Sequence, residues 1–268
     1  MGIFEDRESN FPGRFLATDT KGDSYYLTLT RADEPTNAGT PLNAATLNKL
    51  VDAMKRGAAA TNLLDNADFR RPVNQRRVGT FSGGYGIDRW KAAANMTVSL
   101  VGDDDDEYIE LYCSADAAGR NGIAQYFDAY GMLPIGSPVT VAYQDADGNI
   151  YVESTKMPEV GSVRLFSNSG IGVVLYAAAE DSAARLTFMV PPGESVSLRW
   201  IAMYEGEFND DTLPGFRRKG YAAEMMECMR WAQIHSSGDI DPRDLCPPMI
   251  STPTVTKVSG GYLYSAEP

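Results

Sequence analysis

The residue type that most restricts the chemistry of this chain is histidine, because the chain has only one, His235. Acyl-transfer triads and most zinc sites depend on at least one histidine held in a shaped pocket. The sequence predicts that His235 ends a helix, where a cation interacts favourably with the last carbonyl groups. We therefore expect a structural role for His235 and no catalytic histidine.

Carboxylates are the remaining candidates for catalysis or metal binding, because carboxylate chemistry needs no histidine. The run Asp103–Glu107 lacks the spaced ligands and the glycine of a calcium loop, so a solvated turn between two strands is its predicted role. A second acidic group follows the last predicted strand of the large β region and comprises Glu205, Glu207, Asp210 and Asp211. Neither spacing predicts an active site or a metal site. The sequence thus predicts a protein that is not an enzyme.

Four arginines lie close together in an otherwise acidic chain: Arg70, Arg71, Arg76 and Arg77. The planar guanidinium group fits phosphates and carboxylates through two parallel hydrogen bonds. The cluster is therefore a candidate site for an anionic ligand. In the alternative interpretation, these arginines form surface ion pairs with nearby acids such as those at 103–106.

Aromatic side chains supply a second kind of candidate site, because their flat apolar faces can stack on sugar rings. The chain has 14 tyrosines, and three of them are candidates. Tyr85 lies in the glycine-rich segment 83–86, which is expected to be a loop that presents the ring to solvent. Tyr126 and Tyr130 flank Phe127 where a predicted strand passes into a loop.

The three tryptophans have different predicted environments. Trp90 and Trp200 lie on predicted strands and are expected in the core, as large aromatic residues usually are. Trp231 lies off the apolar stripe of a predicted helix. We expect it to face a neighbouring subunit.

The composition restricts the possible partners. The 268 residues carry a formal net charge of −12, which argues against a duplex nucleic-acid binder because that role needs a basic face. No apolar run reaches about 18 residues, so no membrane insertion is expected. The first residues lack the pattern of a signal peptide, so assembly in a cytoplasm is predicted. Cys113, Cys228 and Cys246 have no metal-ligand spacing, and three reduced, mostly buried thiols are expected.

Residues 1–60 are predicted to form a separate region with a β-hairpin and one helix. Alternation predicts strands over 14–20 and 25–30, joined by a turn at 21–23. Asn43 is a good N-cap, and an apolar stripe at helical spacing follows it: Leu47, Leu50, Val51 and Met54. A lone hairpin and a short helix are marginally stable in water, so we expect this region to be completed by other chains.

The rest of the chain is predicted to be mainly β. Over 61–208, about eight short segments alternate apolar and polar residues between Gly, Pro and Asp turns, which is typical of a β-sandwich. Alternation alone leaves an immunoglobulin-like sandwich and a jelly roll open. Residues 209–268 are predicted to form a helix from near Tyr221 to near His235, then two short strands between 250 and 266. We expect these strands to complete a sheet across a subunit boundary.

Several segments of the chain resemble a known group of proteins. They are Phe4–Arg7, Pro12–Arg14, Tyr25–Ala32 and Gly39–Ala44, followed by Asn62–Gln75, Ile87–Trp90, Ser197–Trp200 and Lys219–Cys228. The first four resemble the N-terminal attachment region of tail-fibre and baseplate proteins of bacteriophages, prophages and related particles of Gram-positive bacteria. The others resemble the jelly-roll module that such fibres often carry.

The resemblance implies a structural protein of the virion tail that is assembled in the host cytoplasm. Residues 1–60 would attach a homotrimer to other tail or baseplate proteins, with the apolar helix stripe as the oligomer interface. The jelly-roll-like sandwich would present a receptor-binding surface for a bacterial surface glycan or an anionic wall polymer. Many jelly-roll sugar-binding modules hold a structural Ca²⁺, to which one carboxylate after the last strand would contribute, and no other cofactor is expected. Two alternatives remain open: an architectural baseplate adaptor without a ligand, and a carbohydrate-binding module linked to glycan processing.

Overall fold

A computed structural model describes two compact units, Met1–Ala58 and Ala59–Pro268. The residues that it describes are 14–18, 24–28, 47, 61–102, 107–128, 135–169, 171–177 and 183–268, without the side chains of 14–18, 24–28, 128, 167–169 and 183. The predicted boundary between a sandwich at 61–208 and a C-terminal region at 209–268 lies inside the second unit and stays a prediction.

The first unit contains the predicted hairpin. Strand β1 (Arg14–Thr18) pairs antiparallel with strand β2 (Ser24–Thr28), with Leu16 opposite Tyr26. Leu47 is helical and half-buried. The rest of the predicted helix, including Leu50, Val51 and Met54, lies outside the described residues, so the oligomer interface stays a prediction.

The second unit is built around one large antiparallel sheet of ten strands. The strands are β3 (Thr80–Tyr85), β4 (Lys91–Val101), β5 (Tyr108–Cys113), β6 (Asn121–Asp128), β7 (Pro138–Asp145), β8 (Ile150–Lys156), β9 (Gly161–Ser169), β10 (Ile171–Ala177), β11 (Ala183–Val190) and β12 (Ser195–Glu205). They follow the order β8-β7-β12-β5-β4-β6-β11-β10-β9, and β3 pairs with β4.

Strand β4 connects the two layers of the resulting sandwich. Its second half pairs with β5 from Met96 to Val101, whereas its first residues, Lys91 and Ala92, pair with β6. One layer therefore contains β8, β7, β12 and β5, and the other contains β6, β11, β10 and β9. The mainly β, jelly-roll-like sandwich predicted from the sequence is confirmed.

The core lies between the two layers, and alternation along the strands explains which residues enter it. On β11, Leu186 and Phe188 are fully buried, whereas Thr187 between them is half-buried. Full burial of such a side chain stabilises the fold by about 1.5–3 kcal/mol. Trp90 and Trp200 are 1% and 4% exposed, which confirms their predicted place in the core.

The C-terminal region differs from the prediction at its helix. Helix α1 spans Tyr221–Met229, and the chain then forms strand β13 (Ala232–His235) instead of continuing as a helix. The side chain of Gln233 explains the change, because its amide donates to the carbonyl oxygens of Met229 and Pro247 and is buried in the strand. His235 therefore lies on a strand, with its Nε2 2.8 Å from Gln233 Oε1, and the prediction that it ends a helix is wrong.

The two last strands are confirmed and pair within their own chain, whereas completion of their sheet across a subunit boundary stays a prediction. Strands β14 (Thr254–Val258) and β15 (Gly261–Ser265) form a three-stranded sheet with β13 of the same chain. Trp231 follows helix α1 and packs against a residue of its own chain, since its ring lies 3.7 Å from Cζ of Arg89. Trp231 is half-buried, and the expectation that it faces another subunit stays a prediction.

Two further features concern the membrane and the thiols. In the part of the chain that the structure describes, no helix has the length and apolarity needed to span a bilayer. All three cysteines are free thiols; Cys113 and Cys228 are buried, and Cys246 is exposed.

Candidate functional site

A groove of about 230 Å³ lies on the face of strands β4, β6 and β11 that points away from the core. We call it the sheet groove. Its described lining includes three cations, Lys91, Arg120 and Arg185, and the ring of Tyr126. No carboxylate side chain is among these lining residues. In a chain with a net charge of −12, this is a local concentration of positive charge.

The register of the sheet places aromatic rings and cations side by side. Arg185 on β11 lies opposite Tyr126 on β6 and opposite Tyr176 on β10. Its Cζ is 5.9 Å from the ring centroid of Tyr126 and 5.0 Å from that of Tyr176. Cation–π attraction at these distances holds the guanidinium group between the two rings. The side chains thus form a fixed row across the sheet.

The row continues on the other side of Tyr126. Nζ of Lys91 lies 5.4 Å from the ring of Tyr126 and 5.6 Å from the ring of Tyr85. Nζ of Lys91 and the hydroxyl of Tyr85 both donate to the backbone oxygen of Pro268, at 2.8 and 3.0 Å. The row of Tyr176, Arg185, Tyr126, Lys91 and Tyr85 is called the cation–tyrosine row below.

Two nitrogen atoms in the groove have unused hydrogen-bonding capacity. Nη1 of Arg120 and Nε of Arg185 are buried and have no hydrogen-bond partner among the described residues. Leaving a buried charged donor without a partner is costly, and such groups are normally satisfied by protein, water or ligand. A guanidinium group with free donors binds an oxyanion well. The sheet groove can therefore hold a phosphate or carboxylate group.

The predicted tyrosine sites are only partly brought together. Tyr126 lies in the sheet groove, and Tyr85 lies at its edge. Tyr85 ends strand β3 and is half-buried, not exposed on a loop, and burial together with the carboxylate of Glu267 raises the pKa of its hydroxyl. The phenol thus stays a hydrogen-bond donor at neutral pH. Tyr130 lies outside the described residues.

The four predicted arginines are not on one surface. Arg70 makes a bidentate ion pair with Asp68, at 2.7 and 3.1 Å. Arg76 pairs with Asp88 and Glu267 in a mostly buried network. Arg77 is exposed on the sequence stretch before β3. Arg71 is exposed and lines a different concavity. Two of the four are therefore held in ion pairs, although their partners differ from the acids at 103–106, which lie outside the described residues.

Asp88 is the central acid of the buried network below the groove edge. It is fully buried and accepts hydrogen bonds from Nη1 of Arg76 at 2.7 Å and from the backbone N–H of Gln75 at 3.1 Å. Burial raises the pKa of Asp88 to about 6, although Arg76 opposes the change. Burial also raises the pKa of Glu267 and of Glu224.

We expect the protein to be more stable at pH 5 than at pH 7.5. Because the pKa of Asp88 is about 6 in the folded state and about 3.9 in an unfolded chain, the folded state binds a proton that the unfolded state does not bind between these values. Stability from this group is lost as the pH rises from about 4 to 6, by about 3 kcal/mol in total, of which about 1.4 kcal/mol is lost between pH 5 and pH 7.5. Urea unfolding at both pH values measures it, and Asp88→Asn should reduce the difference. Equal pH dependence in both proteins would contradict this role of Asp88.

Sequence reasoning missed Lys91, Arg120, Arg185 and Tyr176. A usable signal existed for Arg185: it alternates with the buried residues Ala184 and Leu186, so period-2 reasoning places it on the face away from the core. No local pattern places it beside Tyr126, because that contact depends on the pairing of β6 with β11.

The acidic candidates do not form a site among the residues described. In this part of the chain no group of three or more His, Cys, Asp or Glu residues is arranged to hold a metal ion. Four acidic residues are exposed at the end of strand β12 and directly after it: Glu205, Glu207, Asp210 and Asp211. The acids at 103–106 lie outside the described residues, so their predicted place in a solvated turn stays a prediction. The structural Ca²⁺ to which one carboxylate after the last strand would contribute also stays a prediction.

Comparison with known proteins gives little. No protein-family model and no curated protein sequence matches the chain. Among solved structures, the CBM22-1 xylan-binding domain of Xyn10C from Paenibacillus barcinonensis is similar to 56% of this chain and 98% of that domain, with 11% identity and a TM-score of 0.29. A similarity at this level supports no conclusion about the function of this chain.

Proposed function

We propose that this protein is a non-enzymatic component of a phage-like tail whose sandwich recognises an anionic polymer on the bacterial surface. The attachment half of the proposal depends on the resemblance of residues 1–60 to tail attachment regions. A homotrimer held by these residues is part of the same proposal, and light scattering on the full chain measures it. The recognition half depends on the sheet groove.

The observation that carries the recognition half is a pair of guanidinium nitrogens without a partner among the described residues, in a groove whose described lining contains no carboxylate side chain. Arg120 and Arg185 each have a buried nitrogen with no partner among the described residues. Phosphate groups of a wall polymer would supply the missing acceptors. Tyr126 lies beside them and is only half-buried, so the part of its ring that Lys91 and Arg185 leave uncovered offers an apolar surface for the sugar or polyol between two phosphates. The site thus fits a repeating anionic polymer better than a neutral glycan.

The proposal predicts which polymers bind and how salt affects them. The full chain should bind poly(glycerol phosphate) measurably in biolayer interferometry and should bind dextran much more weakly. The affinity should fall as NaCl increases from 50 to 500 mM, because salt screens partly exposed charges. Equal binding of both polymers would contradict an anionic ligand.

A double variant tests whether the sheet groove is responsible. Arg120→Ala combined with Arg185→Ala should reduce the affinity for poly(glycerol phosphate) by about a hundredfold or more, because hydrogen bonds to charged groups contribute about 1.5–3 kcal/mol each and two such donors are removed. The matched control, Arg243→Ala with Lys257→Ala, removes the same charge from exposed positions and should change the affinity little. Equal losses in both variants would mean that net charge, not the groove, attracts the polymer. Absence of any binding by the wild type would favour the architectural adaptor.

A further inference from the structure

A second concavity, of about 660 Å³, lies where the segment before helix α1 crosses the start of the sandwich. Its described lining is Arg71, Pro72, Glu107, Arg218, Lys219 and Tyr221, together with the backbone of Gly220. We call it the helix cleft. Its volume is in the range of small-molecule sites. Three of its side chains are cations and one, Glu107, is an acid.

The wall of the helix cleft is held in place by ion pairs and hydrogen bonds. Nζ of Lys219 donates to the carbonyl oxygen of Leu64 and to Oδ1 of Asp65, at 3.3 and 3.1 Å. Nε of Arg218 lies 3.3 Å from Oδ2 of Asp68. These bonds fix residues 218 and 219 against the loop that carries Arg71, so the cations keep their positions without a ligand. Such a preformed arrangement reduces the entropy that binding costs.

The cations of the cleft differ in how many of their N–H donors are already bound within the protein. Asp68 is bound bidentately by Arg70, so its contact with Arg218 is the longer one and leaves donors of Arg218 available. Arg71 is exposed, and its guanidinium group has no ion-pair partner among the described residues. Tyr221, at the rim, is 56% exposed, which is a large aromatic surface to leave in solvent. The cleft therefore offers two guanidinium groups, one ammonium group and an exposed ring.

We infer that the helix cleft is a second ligand site, which binds a phosphate group carried by a sugar or polyol. A phosphodiester within the polymer carries one full negative charge on two non-bridging oxygens, which match the two parallel N–H donors of a guanidinium group. A terminal phosphate monoester carries a charge of about −1.5 to −2 at pH 7 and has three acceptor oxygens. Tyr221 would contact the carbon skeleton of the ligand. The inference deepens the proposed function, because both sites would hold phosphates of one polymer, but it concerns different residues.

The two sites are connected through one partly buried chain of contacts. Asp65 accepts from Lys219 in the cleft and from Nε of Arg89, at 3.1 and 3.3 Å. Nη2 of Arg89 in turn donates to the backbone oxygen of Tyr126 in the sheet groove, at 2.7 Å. The cleft and the groove therefore belong to one rigid framework. Occupation of both by one polymer would raise the overall affinity above that of either site.

The test uses the full chain and glycerol 3-phosphate, whose ³¹P resonance broadens when it binds. Broadening should persist in the variant with Arg120→Ala and Arg185→Ala, where the sheet groove is disabled. Adding Arg71→Ala to that variant should weaken the remaining binding by about tenfold, and adding Arg71→Lys should weaken it less, because lysine keeps the charge but loses the planar fork. Thermal unfolding should change little in the Arg71 variants, since this side chain is exposed.

The outcomes separate this inference from the proposed function. Complete loss of broadening in the double groove variant would overturn the helix cleft as a site and leave the sheet groove intact. Broadening could instead be unchanged in the double groove variant and disappear when Arg71→Ala is added. This result would overturn the sheet groove as a site and support the helix cleft. Glucuronate tests the ligand class: displacement of glycerol 3-phosphate at equal concentration would overturn a phosphate site, and weak displacement would support it.

Discussion

Replacement of Asn66 by alanine is expected to lower the free energy of unfolding by about 3–5 kcal/mol. Asn66 is 1% exposed. Its Nδ2 donates to the carbonyl oxygens of Val73 and Asp88, at 2.8 and 2.7 Å, and its Oδ1 accepts from the N–H of Val73 at 2.6 Å. Alanine would leave three buried backbone groups without these partners, and each such loss costs about 1–3 kcal/mol.

The backbone of Asn66 adds to the expected effect. Its φ is 50°, a left-handed conformation that asparagine adopts more readily than alanine. Urea unfolding followed by tryptophan fluorescence measures the change, because Nε1 of Trp90 donates to the carbonyl oxygen of Asn66 at 2.8 Å. Asn149→Ala is the control: its side chain is exposed and, among the described residues, bonds only to Asp145, so less than about 1 kcal/mol should be lost. If Asn66→Ala also lost less than about 1 kcal/mol, the side chain of Asn66 would not be what fixes this loop.

The sequence was sufficient for strands β7 and β8 because their signals are local, whereas the end of β3 was expected to be a loop. Val139, Val141 and Tyr143 alternate with more polar neighbours, and the turn at Asp147 and Gly148 follows, as the hairpin of β7 and β8 requires. Gly148 has a φ of 92°, which glycine adopts at little cost. Each of these features is set by neighbours within a few residues. Alternation and turn residues therefore predicted them correctly.

The end of helix α1 shows where local signals fail. Helical periodicity continues past Met229, but residues 232–235 pair with strand β15. The partner residues Tyr262 and Tyr264 lie about 30 positions further along the chain, so no local window contains them. Pairing with β15 and the buried side chain of Gln233 decide the structure there. Tertiary contacts override helical propensity at such positions.

The prediction of the site residues was mostly wrong for the same reason, since long-range pairing decides which side chains meet. Four arginines that are adjacent in sequence lie in different environments, whereas Arg120 and Arg185 are separated by 65 positions and line one groove. The net charge of −12 did not predict a positively charged groove either, because it describes the whole chain, whereas a ligand responds to the local potential. Tyr126 was the one predicted residue that lies inside the groove. The other side chains of the groove depend on the register of β6 with β11.

That register can be tested directly, because Gly122→Ala is expected to destabilise the protein by about 3 kcal/mol or more. Gly122 lies on β6 opposite Met189 of β11 and lines the sheet groove. A Cβ atom at this position would lie 1.7 Å from the carbonyl oxygen of Phe188. The obstacle is backbone of the neighbouring strand, so relief requires β6 and β11 to separate. Affinity for poly(glycerol phosphate) should fall together with stability.

Gly79→Ala is the matched control, because a Cβ atom at Gly79 has nothing within 4 Å, and its stability should stay within about 1 kcal/mol of the wild type. Urea unfolding of the two variants measures the difference. If Gly122→Ala unfolded at the wild-type urea concentration, β6 and β11 would have to pair in another register. A shift by one residue would turn Arg185 and Tyr126 to opposite faces, and the cation–tyrosine row would not exist. The stability of this variant therefore tests the geometry from which the proposed function follows.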